Sequence, residues 1–497
     1  MNHMPSSQQQ DAAPRARFVP RFHRYALYLL AYCLAGASFW LNRYFGVPDL
    51  DQILYHLNVG AEGLLSSDPL LLKRFVLWCA LVPLVLLGLT VWAERRNAVR
   101  APRLLSAAPV LLLCAVVAHW VIQTSAVSHV MGRFGPDYFA AHYVAPGSVA
   151  IHADHPKNLV IIYIESLEAS YNRKDLLGAN LVAPLDALAG QRFAQFRQTP
   201  GTGWTIAALV ATQCALPLKR VTLYDENLQG EAVRSFLPNA TCLGDILAQH
   251  GYRNVFMGGA SPTFAGKGKF LHSHGYHEVY GKEDWIDGGA PPEQLNGWGL
   301  YDGRLLNKAR LKLQELQAGG QPFNLTLLTV NTHEPNGHLS KRCIERGFRG
   351  FAGVVGCTSL HVAEFVQFME QSGYLANTNV VILGDHLARK NPLTARLGSV
   401  PERTIYNVVL SQHAPAKMTD EIVHFDLLPT MLALSGFEIE GGRMGLGYNA
   451  YDAHTRPPQH RFEDMQSTLM NRSNAYLALW APAPVAPAIV ASALPDS

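Results

Sequence analysis

The chain has 497 residues, 48% of them hydrophobic and 16% charged, with a formal net charge of +3. That length suits two or three domains. So low a charged fraction argues against a wholly soluble protein, and the small net charge excludes a nucleic-acid footprint.

Residues 1–24 are polar, carry Arg15, Arg17, Arg21 and Arg24, and are expected to form a cytoplasmic tail. Apolar runs follow at 25–41, 75–93 and 104–122, each of membrane-spanning length, the first at the short limit. No cleavable signal pattern is evident. The loop between the second and third runs carries Arg95, Arg96, Arg100 and Arg103, whereas the loop after the first carries Asp49, Asp51, Glu62 and Asp68. Basic loops stay inside, so three crossings put everything after Ile122 outside the cytoplasm. Trp40, Trp78, Trp92 and Trp120 fall near the span ends, as interfacial aromatics do. Residues 123–155 are expected to be a linker along the membrane surface.

From Lys157 the pattern changes. Short, almost wholly apolar runs at 158–164, 252–257, 323–330 and 379–383, with a weaker one at 404–410, have the character of strands buried on both faces. Helical patterns lie between them at 183–190, 242–250, 304–317, 360–372 and 426–435. Strands alternating with helices imply an α/β domain, residues 156–480, with a mainly parallel sheet sandwiched between helices. Residues 481–497, mostly Ala, Pro and Val, are expected to be a loose tail.

Three of the apolar runs end in polar residues that a core has no use for. They are Glu165-Ser-Leu-Glu168, Asn331-Thr-His333-Glu334-Pro335 and Gly384-Asp385-His386. Open parallel sheets bind ligands beyond the carboxyl ends of their strands, so these residues should gather on one edge. Gly201-Thr-Gly-Trp-Thr205 then leads into an alanine-rich helix whose free N–H groups suit a phosphate. Thr205 alone is more often a helix cap. Next to Glu165, Asp385 and His386, its oxygen completes a ligand set fit for one divalent ion, Mn²⁺, Mg²⁺ or Zn²⁺. Such an ion activates a hydroxyl and neutralises phosphate charge. His333 is better suited to donate to a phosphate oxygen or to protonate a leaving alcohol.

Seven cysteines divide into Cys33, Cys79 and Cys114 in apolar runs, and Cys214, Cys242, Cys343 and Cys357 in the external part. The last four allow three pairings. Cys214–Cys242 with Cys343–Cys357 closes the short loops and implies an oxidising compartment; the alternative is four buried thiols.

Several ordered segments carry a likeness. They include Asn158-Leu-Val-Ile-Ile-Tyr-Ile-Glu-Ser-Leu-Glu168, Pro200-Gly-Thr-Gly-Trp-Thr-Ile-Ala207, Phe264-Ala-Gly-Lys267, Trp298-Gly-Leu-Tyr-Asp302, Thr329-Val-Asn-Thr-His333 and Asp385-His-Leu-Ala388. Together with the three apolar runs, they resemble the phosphoglycerol and phosphoethanolamine transferases of the bacterial envelope. That group includes lipoteichoic acid synthase and sits in the sulfatase-like alkaline phosphatase superfamily. The strongest likeness is to the branch that decorates osmoregulated periplasmic glucans. The resemblance implies an alkaline-phosphatase-like domain in the periplasm, anchored in the inner membrane by several helices. It implies transfer of phosphoglycerol from phosphatidylglycerol to a periplasmic glucan through an adduct on Thr205, with release of diacylglycerol. Glu165, Thr205, Asp385 and His386 match the family's metal ligands, and His333 its headgroup-binding histidine. Trp298 and Asp302 fall in a substrate-side motif, and the four external cysteines have counterparts. Glu334 stands where a second histidine is usual.

The rival of the same mechanism is a phosphoethanolamine transferase acting on lipid A or another glycan. A sulfatase would need Cys-x-Pro-x-Arg, and Cys214-Ala-Leu-Pro217-Leu-Lys-Arg220 has the wrong spacing. A non-catalytic glycan-binding protein would have no use for Thr205 beside three metal ligands.

Overall fold

A computed structural model describes residues 22–45, 69–97, 102–124, 127, 135–153, 156–219 and 235–481. The expected tail before residue 22, part of the expected linker and the tail after 481 lie outside the described residues. The chain divides into two compact units, one of residues 1–40 and 74–120, the other of 41–73 and 121–497.

The smaller unit is helical. Helix α1 is Phe22–Phe45. Helix α2 starts over Pro69–Val76, widens into a π turn at Leu77–Leu81 and continues over Val82–Asn97. Helix α3 is Pro102–Gln123. Within these, 22–44 and 72–96 are long and apolar enough to cross a membrane, and 107–123 is a shorter apolar helix. Side chains such as Leu84, Val85 and Leu111 are exposed on the surface of this unit. Polar pairs tie the helices together: Trp120 Nε1 donates to the Leu34 carbonyl at 2.9 Å, and Arg24 meets Glu94 at 2.5 Å.

The larger unit is built on a six-stranded sheet. Its strands are β1 (Asn158–Ile164), β2 (Arg253–Gly258), β3 (Glu278–Tyr280), β4 (Phe323–Leu328), β5 (Thr378–Gly384) and β6 (Asn407–Leu410). Their order is β3-β2-β4-β1-β5-β6, all parallel except β6, which pairs antiparallel with β5. β1, β4 and β5 are buried along their whole length, which is why they are apolar on both faces. The side chains split by strand alternation: Leu159, Ile161 and Tyr163 enter one core cluster, Val160, Ile162 and Ile164 the other. The first cluster holds helices α4 (Thr205–Cys214), α5 (Leu243–Gln249) and α8 (Leu427–Leu434). The second holds α6 (Asp302–Ala318) and α7 (Gly350–Gln371).

Several sequence expectations change here. The run at 404–410 is an antiparallel edge strand of four residues, and β3, short and half-buried, was not legible. The pattern at 183–190 forms a helix only over Ala183–Asp186. Helix α7 starts ten residues before the expected 360, because its first turns carry Gly350, Gly353 and Gly356, which hide the helical pattern. By composition α7 could span a membrane, yet 67% of its apolar window is buried against the sheet.

The stretch expected as a linker belongs, over 135–153, to this larger unit. Ile151–Ala153 pairs antiparallel with Phe437–Ile439, and Phe139 is fully buried with its ring edge-on to Tyr476. A chain cut before Lys157 loses that strand and that anchor, whereas one cut before Gly135 keeps both. Removing one buried Phe alone costs about 3–5 kcal/mol. The shorter fragment is therefore expected to melt at least several degrees lower in a thermal scan; equal melting would show that 135–153 adds nothing to the fold.

Candidate active site

The carboxyl ends of β1, β4 and β5 meet beside the start of α4. β1 runs out into Glu165, whose backbone is pinned on both sides. Its N–H donates to Thr329 Oγ1 at 3.1 Å, and its carbonyl accepts from Thr332 Oγ1 at 2.6 Å. Ser166 follows with φ 54°, a left-handed conformation that costs a non-glycine residue energy and persists only when its surroundings fix it. Here Ser166 N donates to Asp385 Oδ1 at 2.7 Å and Ser166 Oγ to Glu165 Oε1 at 2.7 Å. The strained turn thus joins two acidic residues from neighbouring strands. Gly384 allows this approach: a Cβ there would lie 1.8 Å from the Leu167 carbonyl oxygen.

Asp385 Oδ1 also accepts from His386 N at 2.9 Å, while Asp385 Oδ2 is buried with no hydrogen-bond partner. His386 Nδ1 lies 2.9 Å from the Leu387 carbonyl, which fixes the proton on that nitrogen. Its Nε2 is left 3.4 Å from Glu165 Oε1 and 3.6 Å from Asp385 Oδ2. Thr205 Oγ1 completes the group, donating to Glu165 Oε2 at 3.2 Å. Thr205 is the first residue of α4, and the preceding Trp204 makes no side-chain cap. Its hydroxyl therefore faces the acids instead of capping the helix.

An orphaned buried carboxylate oxygen, a second carboxylate, an oriented imidazole and a hydroxyl form a donor set that fits a small divalent cation. The ligand atoms of Glu165, Asp385 and His386 lie within 4.8 Å of one another. With protein charges alone the cluster recruits protons. Burial and the neighbouring Glu165 push Asp385 up to about 7. Burial works against His386, but Asp385 and Glu165 raise it to about 9. Burial also pushes Glu165 up, yet His333 and His386 more than offset this and hold it well below the usual carboxylate range. A cation must displace those protons. Its affinity is therefore expected to rise steeply as pH increases from about 6 to about 9. Calorimetric titration with Mn²⁺ across that range checks this; a flat profile would contradict the proposed ligand set.

His333 lies in the turn after β4. Its Nδ1 is 2.9 Å from the Glu334 carbonyl, and its ring packs on Trp298 with centroids 4.0 Å apart. Its ligand atom falls within 4.8 Å of those of Glu165 and Glu334, so it reaches the cluster's edge. Trp298 also meets Phe264 at 5.4 Å, making an aromatic wall. Asp302 departs from the substrate-side expectation. It is fully buried, accepts from Val330 N at 2.8 Å and Asn331 N at 3.1 Å, and receives the Thr358 hydroxyl at 2.8 Å. Burial pushes it up to about 6. Its carboxylate is spent on the turn that carries His333, so it positions that residue and does not itself face a ligand. Cys214, Cys242, Cys343 and Cys357 form the two expected disulfides, Cys214–Cys242 and Cys343–Cys357.

The family model described as Sulfatase matches residues 157–437, more than half of the chain and all of this site. The chain belongs to the sulfatase family. Cys214 of this sulfatase-family chain is at the far end of α4 from Thr205 and is tied to Cys242, so it cannot serve as a modified-cysteine nucleophile. Curated relatives include phosphoglycerol transferase I of Salmonella typhi, 40% identical over 269 residues, which are 52% of this chain and 34% of that protein. The phosphoglycerol transferase I of Escherichia coli O157:H7 is 37% identical over 286 residues, 56% of this chain and 37% of that one. The chain thus spans about a third of the length of the curated relatives it matches. Among solved structures, the lipoteichoic acid synthase LtaP from Listeria monocytogenes is 19% identical with a TM-score of 0.47, covering 64% of this chain and 78% of that one. The lipooligosaccharide phosphoethanolamine transferase EptA from Neisseria meningitidis is 15% identical with a TM-score of 0.48, covering 84% and 85%.

Several residues beside the ligand cluster of this sulfatase-family site were not among the expected site residues. Lys267 is 3% exposed, with its ammonium bonded to the Phe264 carbonyl at 3.1 Å. Burial lowers it to about 8 while Glu165 and Asp385 pull the other way, a cation held near the acids. His424 lies with Nε2 2.7 Å from the Asp385 carbonyl. Arg403 pairs with the buried Glu168 and donates to the Ala388 carbonyl at 2.6 Å, fastening the loop after His386. Glu334 is buried, pairs with Arg389 at 3.4 Å through Oε1, and leaves Oε2 without a hydrogen-bond partner. Lys267 was signalled by the Phe264-Ala-Gly-Lys267 segment and Glu334 by standing where a second histidine is usual; His424 and Arg403 had no signal beyond being polar.

Proposed function

We propose that the chain transfers phosphoglycerol from phosphatidylglycerol to a periplasmic glucan through a covalent adduct on Thr205. The observation that carries this reading is the Thr205 hydroxyl at a helix start, 3.2 Å from Glu165 in a cluster with Asp385 and His386. A divalent cation held by those four residues, Mn²⁺ or Mg²⁺ in preference to Zn²⁺, would lower the hydroxyl's pKa and offset charge on the phosphodiester. Thr205 Oγ1 passes its proton to Glu165, whose Oε2 already accepts from it, and attacks phosphorus as the bond to the diacylglycerol oxygen breaks. His333 gives its proton to the departing alkoxide. A glucan hydroxyl then attacks the phosphothreonine, His333 takes that hydroxyl's proton, and the Thr205–phosphorus bond breaks as Glu165 returns the proton to Oγ1. The free N–H groups at the start of α4 favour the anion throughout. The aromatic wall of Trp298 and Phe264 stacks His333 in place.

In the same reading residues 1–24 are a cytoplasmic tail, 25–122 hold three inner-membrane spans, and 156–480 form the periplasmic catalytic domain. Two disulfides accord with that compartment. A membrane anchor confines the site to the surface where its lipid donor lies, which raises the donor's local concentration.

One observation favours the phosphoethanolamine alternative: the orphan Oε2 of Glu334 near His333 would suit an ammonium. Supplying the full-length chain with either phosphatidylglycerol or phosphatidylethanolamine, and measuring diacylglycerol release, decides between them. Release from phosphatidylglycerol alone is expected; release from phosphatidylethanolamine alone would transfer the mechanism to the other headgroup.

A further inference from the structure

The Cys343–Cys357 disulfide has a neighbour that a disulfide does not need. His361 is 5% exposed, one turn beyond Cys357 on α7, and its Nε2 lies 3.5 Å from Cys357 Sγ and 3.7 Å from Cys343 Sγ. Its Nδ1 faces Glu364 Oε2 at 3.2 Å, so the proton sits on Nδ1 and the Nε2 lone pair is aimed at the two sulfurs. Gly303 at the start of α6 makes room: a Cβ there would stand 2.8 Å from Nε2. A disulfide gives a buried imidazole nitrogen very little in return.

We infer that Cys343, Cys357 and His361 form a thiolate–imidazole site for a soft divalent cation of the zinc type when the disulfide is open. In tetrahedral coordination, with metal–sulfur bonds of about 2.3 Å and metal–nitrogen bonds of about 2.0 Å, nitrogen and sulfur are about 3.5 Å apart. The two observed nitrogen–sulfur distances, 3.5 and 3.7 Å, already have that value. Only the sulfurs must part, to about 3.8 Å for the same geometry. The Glu364 carboxylate behind the ring is the outer partner that orients metal-bound histidines. A dithiol reductant delivers two electrons and two protons, the S–S bond becomes two thiols, and the reductant closes to its own disulfide. Binding the cation then releases the two thiol protons. Cys343 sits on the short helix Lys341–Glu345, whose other residues are all exposed, so this corner can open without unpacking the sheet.

The second disulfide supplies the contrast. His274 lies near Cys214 and Cys242, but its Nδ1 is 2.8 Å from Asp245 and its Nε2 2.8 Å from the Phe236 carbonyl. Both nitrogens are taken, and no lone pair is left for a metal. The site also has a structural consequence. Thr358, next to Cys357, holds Asp302, which holds the turn carrying His333. A cation would brace the same corner that the disulfide braces.

Cobalt(II) tests this on the full-length chain in detergent, with Cys33, Cys79 and Cys114 replaced by alanine. After reduction with dithiothreitol and removal of the reductant without oxygen, Co²⁺ is expected to give a thiolate-to-cobalt charge-transfer band and the visible bands of a tetrahedral site. The cluster at Glu165 has no thiolate and cannot give the first. The bands should be absent from the oxidised chain, persist in Cys214→Ser/Cys242→Ser, vanish in Cys343→Ser/Cys357→Ser, and weaken at least tenfold in affinity in His361→Ala. That last variant can still form both disulfides, so a thiol titration reports its fold. No thiols released from the folded chain, no charge-transfer band after release, or unchanged binding in His361→Ala would each overturn the inference.

Discussion

Thr205→Ala is expected to lower diacylglycerol release from phosphatidylglycerol by at least about 10⁴-fold, the scale of loss when a covalent nucleophile is removed. The fold should not suffer. Thr205 is not a helix cap, its hydroxyl has one partner in Glu165, and α4 is held by its buried apolar residues from Ile206 to Cys214. Alanine is also the better helix former. The melting temperature should therefore stay within a few degrees of the parent. Thr205→Ser keeps the oxygen and should retain measurable transfer. A Thr205→Ala chain that still turns over at more than a hundredth of the parent rate would require another nucleophile.

Asp385→Asn should have the second largest effect. Asparagine keeps an Oδ1 acceptor for Ser166 N and His386 N, so the strained turn at Ser166 survives. What it removes is the negative charge and the orphan Oδ2. Cation affinity should fall at least a hundredfold, and transfer by about 10³-fold, since a site metal supplies several kcal/mol of charge stabilisation. The two losses must occur together. A chelator should reproduce the activity loss in the parent chain, and excess Mn²⁺ should restore the parent fully and the variant partly. Full activity in Asp385→Asn with no bound cation would remove the metal from the account.

The parts of the fold that positions the site were legible for a physical reason. β1, β4 and β5 are buried on both faces, so each is an unbroken apolar run, and the polar residue that ends each run marks the sheet's carboxyl edge. Glu165, Asp385 and His386 could be read as a group from that alone. Thr205 could be read as the start of a helix, but its freedom from capping needed the extended conformation of Trp204 to be seen. β3 escaped because Glu278, Val279 and Tyr280 are half-buried and too few to show alternation. The direction of β6 escaped because an apolar run has no polarity.

The roles of Asp302, Lys267 and Glu334 depend on burial across long separations, which no local pattern encodes. Asp302 lies in a motif that the resemblance places near substrate, yet its partners are Val330, Asn331 and Thr358. Glu334 was visible as a departure from the family, but its orphan oxygen arises from folding the turn after β4 against the loop after β5.

The most direct measurement is the mass of the intact chain, followed by peptide mapping, after brief exposure to phosphatidylglycerol and Mn²⁺ without acceptor. One added glycerophosphoryl group, carried on Thr205 and lost when a glucan is supplied, is the expected result. Release of diacylglycerol with no adduct at any time, or an adduct on another side chain, would contradict the claim that Thr205 attacks the lipid phosphodiester.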